Sequence, residues 1–226
     1  MAASSAPKFQ PLLPAFSGTR GYEVVGTVRE RLLDELVLIA ARLFDVPIAV
    51  ISLVATKGVW VRSQHGLPVE LTRLPHTTSL CAAVVQRGTL LVFEDLQQHP
   101  CEGVKTPVVQ QLGLRFYAGY PLAQSNGHLI GALGIMGYTP RVLLLPEKAL
   151  LTSFAHLVSL LLELRTSAVE SGSFSHCWQQ LEQLLAIPIR RLLITANQVR
   201  QATAEARAVH WQQAQQLLTQ LLVLVS

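Results

Sequence analysis

The pattern of apolar and polar residues divides this chain into two regions with different periodicity. Between about residues 28 and 165, stretches with helical spacing alternate with short runs rich in β-branched and aromatic residues. After residue 173, apolar residues recur every three or four positions and Gly is absent from the sequence. The first region therefore predicts a mixed helix and strand domain, and the second predicts helices alone.

The first region is expected to form an α+β fold, in which one antiparallel sheet is flanked by helices. The run at 48–54 is rich in β-branched residues and apolar except for Ser52, as in a strand at the centre of a sheet. Pro146 is tolerated in the first turn of a helix. Apart from a hairpin at 115–141, the expected elements are a helix at 28–44, strands at 48–54 and 59–64, a helix at 80–86, a strand at 90–93 and a helix at 147–164.

Residues 115–141 predict the central β-hairpin of this sheet. Apolar residues lie on both sides of Asn126-Gly127, a pair that can adopt the positive φ angles of a two-residue turn. Pro140 has no amide hydrogen to donate to a strand ladder, so the second strand is expected to end before it.

The second region predicts two amphipathic helices that share one apolar seam. A short hairpin cannot bury such a seam alone, so a second copy is expected to cover it in a dimeric four-helix bundle. One long two-stranded coiled coil is the alternative, because neither Gly nor Pro marks a turn at 201–207. The residues expected in the dimer seam are Trp178, Leu181, Leu185, Ile189, Leu192, Trp211, Leu218 and Leu221.

Composition narrows the class of protein. Half of the 226 residues are hydrophobic, which predicts a sizeable core. The net charge of +4 arises among only 14% charged residues, without a basic stripe interleaved with aromatics, and this argues against nucleic-acid binding. The expected domain boundaries are a lead-in at 1–21, an α+β domain at 22–165, a linker at 166–173 and the helical hairpin at 174–226.

Cysteine usage and the N-terminus indicate the compartment. Cys81, Cys101 and Cys177 are odd in number and far apart, as in proteins of a reducing compartment, and no His/Cys cluster has zinc-site spacing. The N-terminus lacks the continuous apolar core of a secretory signal, and no apolar run reaches the roughly 18 residues of a membrane span. A cytoplasmic protein without membrane contact is expected.

Several segments, taken in order, resemble the GAF domains of bacterial signalling proteins. They are LVLIAARLFDVPIAVISLV at 36–54, SLCA at 79–82, VFEDL at 92–96, RFYAGYPL at 115–122, GALGI at 131–135 and the pair Pro140-Arg141. The resemblance implies a sensor or protein-interaction domain without a cofactor, and it leaves an unknown small-molecule ligand open. The pocket residues that it implies are Trp60, Ser79, Cys81, Asp95, Phe116, Tyr117 and Met136.

A fainter resemblance lies at QLLAIPI, residues 183–189, which is similar to the His-Glu-Leu-Arg-Thr-Pro-Leu box of sensor histidine kinases. That box lies on their dimerisation and phosphotransfer hairpin. Gln183 stands at the phosphoacceptor position and Leu184 replaces the adjacent acidic residue. A glutamine amide is not a nucleophile, so no autophosphorylation is expected. The resemblance implies a non-catalytic signalling homodimer, with a response regulator or a histidine kinase as candidate partner.

Two other functions stay open. A bilin photosensor would attach its chromophore through Cys81, although Ala82 follows where bilin-binding members usually have His. A thiol-dependent methionine-sulfoxide reductase would use Cys81 and Cys101 as nucleophilic and resolving thiols.

Many signalling GAF domains carry a Cys and an Asp where this chain has Gly134 and Gly137. Asp95 is expected either to cap the following segment or to meet a polar ligand.

Overall fold

A computed structural model describes residues 31–68, 71–102, 104, 107–170 and 174–225 of the chain. The strands are β1 (Ile48–Ala55), β2 (Gly58–His65), β3 (Arg73–Leu74), β4 (Leu91–Phe93), β5 (Phe116–Ala123) and β6 (Leu129–Gly137). The helices are α1 (Arg31–Leu43), α2 (Leu80–Arg87), α3 (Pro107–Gln111), α4 (Leu145–Glu170), α5 (Phe174–Gln201) and α6 (Ala204–Val225). A 3-10 helix, His76–Thr78, precedes α2.

The six strands described form one antiparallel sheet in the order β3-β2-β1-β6-β5-β4. β1 and β6 lie at its centre and are almost entirely buried, as their largely apolar sequences favour. The α+β class and the order of the elements agree with the sequence-based expectation.

The turn of the β5–β6 hairpin differs from the two-residue turn expected from Asn126-Gly127. Gln124 and His128 form a last backbone pair, with 2.9 Å from the Gln124 amide nitrogen to the His128 carbonyl oxygen. Three residues connect them, and Gly127 alone of these has positive φ, at 82°. Asn126 instead accepts a hydrogen bond from the His128 amide at 2.9 Å. The result is a turn in which only the glycine is left-handed.

Each face of the sheet carries its own core. Helices α1 and α4 cover one face, and α2 with the loops around it covers the other. Because successive strand residues point to opposite faces, neighbours in β5 belong to different cores. Phe116 packs with α1 and α4, whereas Tyr117 packs under α2.

The C-terminal region folds as two helices that pack against each other, so the long coiled coil is not formed. Residues 202 and 203 separate α5 from α6. The helix α5 also packs on α1, and α6 packs on α4, which places α1 and α4 between the sheet and the hairpin. Side-chain contacts hold this arrangement: Trp211 donates to the Leu43 carbonyl at 3.3 Å, and Arg42 donates to Asn197 at 2.9 Å.

The seam assigned to a dimer is buried within one chain. Seven of its eight residues are buried side chains of the core that α1, α4 and the sheet also share, and Leu181 is partly buried against it. The expectation of a second copy assumed that the hairpin had no other apolar surface to pack on. α1 and α4 supply that surface, so burial of the seam requires no partner.

The helix α4 extends from residue 145 to 170, beyond the expected 147–164. Its start is fixed by Glu147, a buried carboxylate that accepts a hydrogen bond from the Leu144 amide at 3.0 Å and pairs with Arg141. Arg141 also donates to the Phe44 carbonyl, so one side chain joins the end of β6 to the end of α1.

By length and composition alone, one helix in the described part of the chain could cross a membrane, Leu145–Ala168. It lies within α4, and 56% of the window that meets this criterion is buried inside the protein. Packing between the sheet and α6 accounts for its apolar character.

Candidate functional site

A cavity of about 50 Å³ lies on the α2 side of the sheet. Its floor is formed by β1, β2 and Met136 of β6, and its walls come from the loop before α2, the start of α2 and α3. Hydroxyl groups and one thiol are the polar side-chain groups, and none of the described side chains that line the cavity carries a charge. The space is about a third of the roughly 150 Å³ cavity that holds benzene.

Cys81 is the reactive residue type at this cavity, yet its surroundings suppress its reactivity. The side chain is buried at the start of α2, and the Tyr117 hydroxyl donates a hydrogen bond to its sulfur at 3.5 Å. Burial raises the pKa of the Cys81 thiol, while hydrogen bonds from Ser52, Tyr117 and Ser79 oppose that rise. Since the thiolate is the nucleophile, this thiol is poorly suited to attack.

Tyr117 occupies the space behind Cys81. Its ring lies over Gly119 of its own strand and Gly134 of β6: a Cβ atom on Gly119 would be 2.5 Å from the tyrosine oxygen, and one on Gly134 would be 3.2 Å from ring atom Cε2. Burial, together with the nearby Cys81, raises the pKa of Tyr117 well above its ordinary value. Gly134, expected to mark a lost polar contact, is therefore where the tyrosine ring fits.

The structure brings together part of the expected pocket. Ser79, Cys81 and Met136 line the cavity, and Tyr117 contacts it through Cys81. Ser79 also caps α2, since its hydroxyl accepts from the Ala82 amide at 3.4 Å. The same polar residue thus starts the helix and forms part of the wall.

Trp60, Phe116 and Asp95 lie elsewhere. Trp60 is 37% exposed on the outer side of β2, where the Arg73 guanidinium stacks 4.6 Å from its ring centre. Phe116 belongs to the opposite core, because strand residues alternate between faces.

Asp95 is held in an ion pair outside the cavity. Arg115 donates from Nε to Oδ1 at 2.8 Å and from a terminal nitrogen to Oδ2 at 2.5 Å. The Gln97 amide also donates to Asp95, at 3.0 Å. The hydrogen bond from Arg115 is the main reason that the pKa of Asp95 falls to about 2. The carboxylate therefore orders the loop after β4, as the capping alternative holds, and it is not among the described residues that line the cavity.

Several cavity residues were not anticipated from the sequence. They are apolar side chains from β1, β2, the loop before α2 and α3, among them Val50, Val59, Val61, Leu67, Val109 and Leu112. The alternation of Val50 with Ser52 and of Val59 with Val61 places each pair on one face of its strand, which is a usable signal. The loop and α3 residues give no such signal, because their positions depend on tertiary contacts.

The sequence pattern of the GAF domain family matches residues 28–162, which is more than half of the chain. The chain belongs to the GAF domain family. A cyclic di-GMP phosphodiesterase of Pseudomonas aeruginosa is 34% identical over 133 residues. That match covers 57% of this chain and 22% of the relative, so this chain spans about a fifth of that protein's length.

Two solved structures share the fold. The GAF domain of a phosphoenolpyruvate-protein phosphotransferase from Coxiella burnetii aligns over 69% of this chain and 94% of its own, with a TM-score of 0.53 and 18% identity. The free methionine-R-sulfoxide reductase of Neisseria meningitidis aligns over 69% of this chain and 89% of its own, with a TM-score of 0.50 and 20% identity. At these identities the likeness concerns the fold alone.

Proposed function

We propose that this protein is a non-catalytic, cytoplasmic signal-transduction protein whose GAF domain binds a small apolar group and passes the event to the C-terminal hairpin. The observation that carries the proposal is the cavity beside Cys81, whose described lining is uncharged and almost wholly apolar. A nucleotide phosphate needs basic side chains or a cluster of free amides, and the lining side chains offer no charge for it. The cavity suits binding of an uncharged group better than reaction.

The proposed route of the signal runs from the sheet to α4 and from α4 to α6. At the β5–β6 hairpin, the Ala123 amide donates to Ser159 of α4 at 3.1 Å, and the Ser125 amide donates to Glu163 at 3.0 Å. From α4, Ser153 accepts a hydrogen bond from Gln215 of α6 at 2.7 Å. β5 is paired with β6 along its length. A shift of β6 caused by a ligand at Met136 would therefore move the Ala123 and Ser125 amides, which are bonded to α4.

We include the degenerate phosphotransfer hairpin in this proposal as the output element. Gln183 is exposed on α5, where its amide offers no nucleophile for a phosphoryl group. A response regulator or a histidine kinase is the proposed recipient. Because the seam is buried within one chain, a homodimer would have to form through another surface. Light scattering at micromolar concentration would measure whether the chain is a dimer.

The test compares amide hydrogen exchange of the full chain in the presence and absence of xenon, an apolar probe small enough for the cavity. We expect xenon to slow amide exchange in α5 and α6. Val109→Phe, which fills the cavity from α3, is expected to abolish the effect. Binding of xenon without any change in the hairpin would refute the coupling, and absence of xenon binding would refute the cavity as a site.

The two alternatives have direct tests of their own. A thiol-dependent reductase requires Cys81 to turn over free methionine sulfoxide, so Cys81→Ser would abolish a measurable rate. A photosensor requires visible absorption after co-expression with a bilin. We expect no turnover, because burial raises the pKa of the Cys81 thiol. We also expect the co-expressed protein to be colourless.

A further inference from the structure

The helix α5 carries a second apolar stripe on the side that faces away from the core. Leu184, Ile187 and Ile194 are 54%, 73% and 53% exposed, although the neighbouring residues Leu185 and Leu192 are fully buried. Positions 184, 187, 191 and 194 follow the three-and-four spacing of a coiled-coil seam, with Arg191 at the third position. A helix with two such stripes is suited to two partners, and the core satisfies only one of them.

The charge on and beside this stripe is positive, since Arg191 lies on the stripe and Arg190 lies next to it. Arg190 and Arg191 are both exposed, and within the described part of the chain neither forms an ion pair. In the hairpin sequence 174–225 there are four arginines and two glutamates. One of those glutamates, Glu182, accepts a hydrogen bond from the Trp178 indole at 3.1 Å.

From this arrangement we infer that the outer face of α5 binds an amphipathic helix of another protein, with an apolar ridge flanked by aspartate or glutamate. Leu184, Ile187 and Ile194 would pack against the ridge, and the carboxylates would pair with Arg190 and Arg191. The inference rests on the proposed function, since it names the chemistry of the partner that the output hairpin would recognise.

Charge complementarity disfavours the other occupants. A second copy facing this stripe would bring Arg190 and Arg191 of both chains together near the middle of the seam, where like charges repel. Residues 1–30 of the same chain have three basic and two acidic side chains, so they do not supply a carboxylate-rich helix. An acidic amphipathic helix satisfies both the apolar residues and the arginines.

The test measures binding of two designed peptides to the full chain by fluorescence anisotropy. Both peptides are three heptads long with leucine at a and d; one has glutamate and the other lysine at e and g. Like charges at e and g keep each peptide from pairing with itself. We expect the glutamate peptide to bind about tenfold more tightly than the lysine peptide, and the difference to shrink in high salt.

Charge reversal gives the decisive comparison. We expect the double variant Arg190→Glu/Arg191→Glu to reverse the preference between the peptides, and Ile187→Ser to weaken both. The matched control, Arg31→Glu/Lys57→Glu, changes the net charge equally at exposed sites of the other domain and is expected to keep the wild-type preference. Circular dichroism melting verifies that each variant is folded.

The inference is overturned if the glutamate peptide fails to bind, or if it binds the Arg190→Glu/Arg191→Glu variant as well as the wild type. It is equally overturned if the chain forms a dimer that Ile187→Ser dissociates, since a second copy would then occupy the stripe. These outcomes are independent of xenon binding at the cavity, so failure here is distinguishable from failure of the sensor proposal.

Discussion

Tyr117 can lie flat across the sheet only because two neighbouring positions have no side chain. Its hydroxyl bonds to Cys81, and its ring fills the volume above Gly119 and Gly134. The tyrosine and the glycines are thus one packing unit, and the remaining cavity is small because this unit fills the space beside it.

Replacing Gly119 tests that unit. We expect Gly119→Ala to lower the free energy of unfolding by about 1–3 kcal/mol, because its Cβ would meet the Tyr117 oxygen at 2.5 Å and Val84 at 2.8 Å. Urea unfolding measures the change. Gly137→Ala is the matched control, since its Cβ would have its nearest neighbours at 3.7 Å, and equal losses in both variants would contradict the assignment.

The Asp95–Arg115 pair predicts a pH-dependent stability. The folded-state pKa of Asp95, about 2, lies below the ordinary aspartate value, so the pair stabilises the fold at neutral pH and the effect is lost as pH falls from about 4 through 2. We expect Asp95→Asn to be less stable than wild type at pH 7. The two proteins should converge near pH 2.

The measurement is urea unfolding of wild type and Asp95→Asn across this pH range. Glu94→Gln serves as the control, because Glu94 is exposed and, within the described residues, outside any ion pair. A stability difference that stays constant down to pH 2 would show that the carboxylate charge is not its source.

The buried and exposed stripes of α5 predict that alanine substitutions only two residues apart change the free energy of unfolding by very different amounts. We expect Leu192→Ala to cost about 2–5 kcal/mol, since the side chain is fully buried between α5 and the core. Ile194→Ala, on the exposed stripe, should cost less than about 0.5 kcal/mol. Thermal unfolding compares the two, and similar losses would place Ile194 in a buried contact.

The helical seam also shows how far sequence reasoning extends. Periodicity predicted that Leu185, Ile189 and Leu192 would be buried, and they are. It could not state what buries them, because the same stripe fits a second copy or the far side of α1 and α4. Strand alternation could have separated Phe116 from Tyr117, which were both expected in the pocket but lie on opposite faces of β5. The outward position of Trp60 and the Arg115 pair of Asp95 depend on contacts between distant segments.

One apolar core extends from the sheet through α1 and α4 into the hairpin. We therefore expect the GAF domain and the hairpin to unfold in a single transition. Two variants report on the two parts: Trp178→Phe/Trp211→Phe leaves Trp60 in the sheet, and Trp60→Phe/Trp178→Phe leaves Trp211 in the hairpin. Within each variant, the fluorescence midpoint is expected to coincide with the midpoint from far-UV circular dichroism, and separate midpoints would contradict the single transition.

The sandwiched position of α1 and α4 has a practical consequence for anyone who expresses this protein in pieces. Family similarity ends near residue 162, which invites a cut there. Such a fragment would present the bare apolar sides of α1 and α4, where α5 and α6 normally lie, directly to water. We expect this fragment to aggregate. The part of the chain that matches the family is therefore shorter than the part that buries its own apolar surface.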